Sequence, residues 1–190
     1  MIKILGGKHK GININTPYHF KTRPTNSRLR ESVFNILLHS KHLSRNFSDI
    51  EVIDIFAGSG ALGLEALSRG CKFCTFIDSS QDAIDAIEKN IIKLREEKNS
   101  TVIKANALKP IYNNKKYDLC FFDPPYDITN FSNIIEKWLC SKIMKQNTIY
   151  IYEKNKNNTF DLEKKLNIIG KKQQGISEII IFKNLSSSPK

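Results

Sequence analysis

The segment that most restricts this chain is Val52-Ile53-Asp54-Ile55-Phe56-Ala57-Gly58-Ser59-Gly60-Ala61-Leu62-Gly63. An apolar run passes through a glycine-rich turn into a helical stretch, and Asp78 closes the next apolar run 20 residues after Gly58. Glycines permit a tight turn and bring backbone close to a ligand, while a carboxylate at the second strand's tip can accept two ribose hydroxyls. That combination suits a nicotinamide cofactor and an adenosyl cofactor equally. Asp54 separates them. A carboxylate near the mouth of the first strand suits the cationic amino group of a methionine moiety and repels a pyrophosphate.

The surrounding pattern alternates strand and helix. Strands are expected at 50–56, 73–77, 101–105, 117–122 and 148–152, with helices at 60–69, 82–97 and 128–140. Strands separated by helices imply a parallel sheet covered on both faces. Ile168-Ile169 and residues 176–182 are expected to pair as an antiparallel hairpin across Gln173-Gln174-Gly175. Residues 154–158, rich in Lys and Asn, read as a solvated loop. The first 48 residues differ: a small β-hairpin through Gly6-Gly7 and Gly11, then a helix from Ser27 to Ser40 with Leu29, Val33, Ile36 and Leu37 inward. The expected division is a basic extension at 1–48, an α/β domain at 49–185 and a disordered tail at 186–190. At 190 residues, two domains of enzyme size do not fit.

A second motif carries chemistry. Leu119-Cys120-Phe121-Phe122 leads into Asp123-Pro124-Pro125-Tyr126. Two prolines at a strand's carboxyl end stop the ladder and leave carbonyls without a paired neighbour. Alkylation of an exocyclic base amine uses such a set. That nitrogen's lone pair is delocalised into the ring, so it attacks poorly. The Asp123 carboxylate and the Pro124 carbonyl can hold its two protons and turn the lone pair toward an electrophilic methyl. Tyr126 offers a face for an extruded base, a stacking contact worth roughly 1–3 kcal/mol.

Charge points to a polyanionic partner. The net charge is +11, and residues 1–48 hold nine Lys and Arg against Glu31 alone. Four of the six arginines lie in that segment, whereas the middle of the chain is slightly acidic. Basic ends around a neutral centre suggest an anion-binding surface built about a separate pocket. Cys71, Cys74, Cys120 and Cys140 read as small buried hydrophobes, because no second Cys or His pair follows at ligand spacing, and no metal is expected. The four histidines are given no chemistry. No apolar run reaches the length of a membrane span, and Met1 to Gly7 lacks a signal-peptide core, so a cytoplasmic protein is expected.

Asp54, Gly58, Gly60, Asp78 and Asp123-Pro124-Pro125-Tyr126, in that order, resemble S-adenosylmethionine-dependent amino-methyltransferases. More narrowly, the chain resembles the RsmD family of bacterial 16S rRNA guanine-N2 methyltransferases. The likeness runs through Gly6-Gly7, Gly11, Arg23-Pro24-Thr25, Arg28, Arg30-Glu31, Phe34-Asn35 and the block from Phe56 to Gly70. It implies a Rossmann-like methyltransferase fold: a mostly parallel seven-stranded sheet with a C-terminal antiparallel hairpin and a small N-terminal hairpin and helix. It implies methyl transfer from S-adenosylmethionine, with S-adenosylhomocysteine as product, to the N2 amine of one guanine in 16S rRNA of the small subunit, by a monomer. Phe56, Ser59, Asn106 and Ala107 join Asp54, Gly58, Gly60 and Asp78 as cofactor residues. Asn106 stands where many such enzymes carry Asp, and its Oδ1 can still accept from the adenine amine. Arg23, Arg28 and Arg30 become RNA contacts. The rivals are a DNA adenine-N6 or cytosine-N4 methyltransferase and a non-catalytic RNA-binding assembly factor. Forty-eight extra residues are few for a DNA target-recognition region, and a dead enzyme has no need of Gly58, Gly60, Asp78 and Asp123 together.

Overall fold

A computed structural model describes residues 2–18, 27–39, 43, 46–125, 128 and 131–185. In chain order the elements are β1 (Ile2–Lys3), β2 (Asn13–Ile14), α1 (Ser27–His39), β3 (Glu51–Ile55), α2 (Ala61–Ser68), β4 (Phe73–Asp78) and α3 (Gln81–Leu94). Then follow β5 (Ser100–Lys104), β6 (Tyr117–Phe122), α4 (Phe131–Leu139), β7 (Met144–Asn155), β8 (Leu166–Gln174) and β9 (Ser177–Asn184). Strands β1 and β2 form a small antiparallel pair, and the others make one seven-stranded sheet in the order β5-β4-β3-β6-β7-β9-β8. Strands β3 to β7 run parallel, and β9 lies antiparallel to both β7 and β8.

Period-two alternation sends successive strand residues to opposite faces. Val52, Leu119, Phe121, Ile149 and Ile151 bury against α1, α2, α3 and the N-terminal hairpin. Ile53, Ile55, Cys120, Phe122, Tyr150 and Tyr152 face the other way, beneath α4. On that second face Phe122, Tyr150 and Phe182 form a stack, with neighbouring rings at 6.3 Å and 5.3 Å and within 11° of parallel. Burial on both faces explains why the central strands read as unbroken apolar runs.

The N-terminal hairpin and α1 share the first core with the sheet. Gly7 shows how closely: at φ +76°, an added Cβ would sit 1.9 Å from the Ser68 carbonyl oxygen. Lys8 N–H donates to that carbonyl at 2.8 Å, and Leu5 N–H donates to Glu65 Oε2 at 2.7 Å. Further along, Glu96 pairs with Lys8 at 2.9 Å and with His9 Nε2 at 2.6 Å. Burial pushes the Glu96 carboxyl up, but bonds from Asn99, Lys8 and His9 outweigh it and hold the group below its usual range.

As read from the sequence, no helix stands between β5 and β6: residues 105–116 cross as an irregular segment, anchored where Trp138 Nε1 donates to the Ala107 carbonyl at 2.9 Å. Several expectations are corrected. Strand β7 runs through Asn155, so Lys154 is a buried strand residue and the solvated loop begins later. Helix α3 stops at Leu94, because Arg95 takes a left-handed conformation. Cys71, Cys74 and Cys120 are buried free thiols, whereas Cys140, just past α4, is exposed. The expected tail at 186–190 lies outside the described residues. Among the described residues, no helix is long and apolar enough to cross a membrane, and no cluster of His, Cys, Asp and Glu is arranged to hold a metal.

Candidate active site

From β3 the chain proceeds to β4 on one side, while β6, on the other side of β3, proceeds to β7. This is a topological switch point, and the crevice outside the strands' carboxyl ends there is the usual ligand position of such sheets. Ile55 is opposite Ile77 on β4 and Phe122 on β6, so Phe56, Asp78 and Asp123 come together at the next step along the rim.

The glycine turn is built from left-handed residues: Phe56 at φ 65°, Gly58 at 56° and Gly60 at 77°. For an aromatic residue that conformation costs on the order of 1–3 kcal/mol, a strain concentrated at functional rims. The turn is over-determined. Ala57 N–H donates to the Ile77 carbonyl at 2.9 Å, Gly60 N–H to the Ala57 carbonyl at 2.7 Å, and Asn90 Nδ2 to the buried Ser59 carbonyl at 3.2 Å. Gly63 serves packing. A Cβ there would lie 2.3 Å from the Phe76 ring and 2.7 Å from Cys74 Sγ, so α2 can rest on β4 only without one.

Asp78 is 9% exposed, and each carboxylate oxygen accepts one backbone N–H: Oδ2 from Gly58 at 2.8 Å, Oδ1 from Ser80 at 2.9 Å. A carboxylate oxygen has two acceptor positions. Both oxygens therefore retain capacity for a hydroxyl, and this pair of acceptors suits a ribose diol. Asn106 is exposed and its Oδ1 accepts from Leu108 N–H at 2.9 Å, while Ala107 beside it is buried. That turn sits past the end of β5, next to Asp78 on β4, where an adenine extending from the ribose would arrive.

Asp54 is enclosed beneath the glycine turn. It is 1% exposed, and its Oδ2 accepts from Gly63 N–H at 2.9 Å, in the first turn of α2. Burial pushes its carboxyl up to about 8, offset in part by the Gly63 bond and reinforced by Asp78. An enclosed carboxyl that caps a helix start frames the turn, whereas the expectation was a carboxylate near the strand's mouth that meets an ammonium.

Asp123 follows β6 directly and is half-buried, with Pro124 buried and Pro125 exposed. The Pro125 carbonyl accepts from Ile128 N–H at 3.3 Å. Phe131, at the start of α4, packs on Phe56 at 5.6 Å and on Phe122 at 5.8 Å, giving this part of the rim an aromatic wall. Tyr126 and Arg23 lie outside the described residues.

The arginines divide. Arg28 is on the exposed side of α1, but Arg30 is 1% exposed. The Arg30 Nη2 donates to the Lys3 carbonyl, and its Nε lies 3.8 Å from Glu65 Oε2. Burial pulls its pKa down, against the raising effect of Glu65. Direct RNA contact by Arg30 is corrected on this ground: it locks α1 to the N-terminal hairpin. Residues two apart on a helix point some 160° apart, so the two could not share one surface. The signal was present, since Arg30, Phe34 and Leu37 fall at spacings of four and three. Sequence reasoning also missed Asn90. This fully buried side chain bonds Asn15 N–H and its carbonyl as well as the Ser59 carbonyl, tying the hairpin's exit to the glycine turn.

Residues 2–183 match the family model described as Conserved hypothetical protein 95. Ribosomal RNA small subunit methyltransferase D of Buchnera aphidicola (subsp. Baizongia pistaciae) is 35% identical over 156 residues, covering 81% of this chain and 76% of that protein. The chain belongs to the RsmD family. Among solved structures, this RsmD-family fold superposes on the Escherichia coli protein yhhF with a TM-score of 0.79 at 26% identity, covering 96% and 97% of the two chains. A magnesium protoporphyrin IX methyltransferase from Synechocystis PCC 6803, solved with bound S-adenosylmethionine, shares the fold at a TM-score of 0.67 and 15% identity, with 83% and 79% covered.

Proposed function

We propose that this protein transfers a methyl group from S-adenosylmethionine to the exocyclic N2 amine of a guanine in small-subunit (16S) rRNA, acting as a cytoplasmic monomer. One observation carries the reading: Asp123-Pro124-Pro125 leaves β6 at the switch point, one strand from the glycine turn and two from Asp78. The methyltransferase names of its RsmD-family relatives support the substrate class.

Bound S-adenosylmethionine supplies a methyl group on a sulfonium, an electrophile with a good leaving group. Asp78 would accept the ribose hydroxyls, Asn106 and Ala107 would border the adenine, and the backbone of Phe56, Gly58, Ser59 and Gly60 would approach the methionine portion. The Asp123 carboxylate and the Pro124 carbonyl would accept hydrogen bonds from the two amine N–H groups, turning the nitrogen lone pair out of conjugation; as the N–C bond forms the S–C bond breaks, S-adenosylhomocysteine leaves, and one amine proton is lost by way of Asp123 to solvent. Tyr126 stacks on the flipped base. Positioning and electrostatics supply the acceleration, and no residue forms a covalent intermediate.

The test supplies labelled S-adenosylmethionine to small subunits, free rRNA and DNA in parallel, then digests the product to nucleosides. Label recovered as N2-methylguanosine from small-subunit RNA is expected. Label in DNA alone would overturn the assignment.

A further inference from the structure

The sheet divides the rim into two halves. Asp78 and the Asn106 turn lie over β4 and β5, while beyond Asp123 the sheet continues through β7, β9 and β8. A guanine that reaches Asp123 brings its RNA strand over that second half. Phe122 is opposite Tyr152, so Glu153 stands level with Asp123, and Ile179 and Lys172 continue the same rung across β9 and β8. Three strand spacings separate β8 from β6, about 14 Å, a distance that two or three nucleotides span. Ser177 pairs with Asn155 on one side and Gln174 on the other. Two turns, 155–158 and 174–177, therefore stand side by side at this rim, joined by Lys156 N–H donating to the Ile176 carbonyl at 2.8 Å.

What holds them is a buried lysine. Lys154 is 5% exposed and pairs with Glu178 Oε2 at 2.7 Å. Its ammonium also donates to the Asn158 carbonyl at 2.7 Å and, at longer range, to those of Asn155 at 3.3 Å and Lys156 at 3.4 Å. Next to it, buried Glu153 accepts from Ser177 Oγ at 2.8 Å. Buried ion pairs are weak sources of stability, since desolvation offsets their attraction. Strand β7 is bonded to β6 as far as Tyr152 and to β9 through Asn155, so its ladders already hold it. The lysine's bonds go to the carbonyls of one turn, so what it fixes is that turn's shape. Outward from this frame stand exposed Lys156, Asn157 and Lys172, with Ile176 half exposed. Among the described residues neither Lys156 nor Lys172 has a carboxylate within 4.0 Å, whereas the neighbouring Lys171 pairs with Glu163.

We propose that these paired turns, stapled by Lys154, are a second RNA-binding surface, with Lys156 and Lys172 contacting backbone phosphates that flank the target guanine. The proposal rests on the RNA methyltransferase reading above. Lys154 is a positioning residue within it.

The experiment compares wild type, Lys156→Gln/Lys172→Gln and a control, Lys89→Gln/Lys98→Gln, whose charges lie on α3 and by the start of β5. RNA affinity is measured against salt, with turnover on small subunits and calorimetric cofactor affinity. The rim variant is expected to lower the slope of log affinity against log salt by about 0.7–0.9 per lost contact. Its KM should rise several-fold, with kcat and cofactor affinity unchanged and the control matching wild type. Lys154→Met, once shown to fold by its melting curve, should raise KM likewise, and Lys154→Arg should restore it. A rim variant matching an RNA-active wild type in slope and KM overturns the surface alone. A folded Lys154→Met with wild-type KM overturns the staple. A wild type that methylates no RNA overturns the functional reading, and the surface with it.

Discussion

Asp54→Asn separates two roles for one carboxyl. Buried to 1% exposure and pushed up to about 8, Asp54 is expected to keep its proton in the folded protein at neutral pH, while in the unfolded chain it ionises with an ordinary value near 3.8. The sign follows from proton counting. Between those two values the folded state binds the proton and the unfolded state does not, so stability is greatest at low pH and falls as pH rises. The slope approaches 1.4 kcal/mol per pH unit, about 4 kcal/mol between pH 5 and pH 8. Asparagine keeps an oxygen for the Gly63 N–H and cannot ionise. Urea unfolding of both proteins across that range should give a wild-type curve that falls relative to the variant's, with the variant at least as stable by pH 8. Cofactor affinity at pH 7 should change little. Parallel curves would mean that Asp54 is already ionised when folded. If that came with a large loss of S-adenosylmethionine affinity, the ammonium contact expected from the sequence would be right and the helix-start role wrong.

Asp78→Ala removes acceptors for the ribose and for the Gly58 and Ser80 N–H groups, and calorimetry should find cofactor affinity reduced by roughly 1.5–3 kcal/mol. Asp123→Ala should leave that affinity nearly intact while single-turnover transfer falls by orders of magnitude, because its contact matters most as the amine rehybridises. Arg30→Ala should destabilise the fold by about 3–5 kcal/mol in denaturant, as expected when one partner of a buried ion pair is removed. Arg28→Ala should leave stability unchanged and reduce the salt slope of RNA binding, and an unaltered slope would end its assignment as an RNA contact.

The division between what the sequence disclosed and what it hid follows from how each residue does its work. The switch-point architecture was legible because every contribution is local. Apolar runs define β3, β4 and β6, glycines permit φ above zero at 58 and 60, and two prolines stop the strand at Asp123. Charged and polar side chains were read less well, because such a group's role depends on which other element it meets. Arg30 meets Lys3 and Glu65, from segments 27 and 35 residues away, and Asn90 meets Asn15 across 75. Lys154 looked like part of a solvated run because it opens a Lys- and Asn-rich stretch, while its partner Glu178 arrives only when β9 folds back along β7. These groups share a job: Asp54, Asn90, Arg30 and Lys154 each hold the backbone of a turn or hairpin beside the rim. Their cost in desolvation is spread through the frame, and what it secures is the placement of the few residues left to meet cofactor and base. Catalysis by orientation needs such a frame, since an amine held by two acceptors is activated only if both stay within hydrogen-bond reach as its geometry changes.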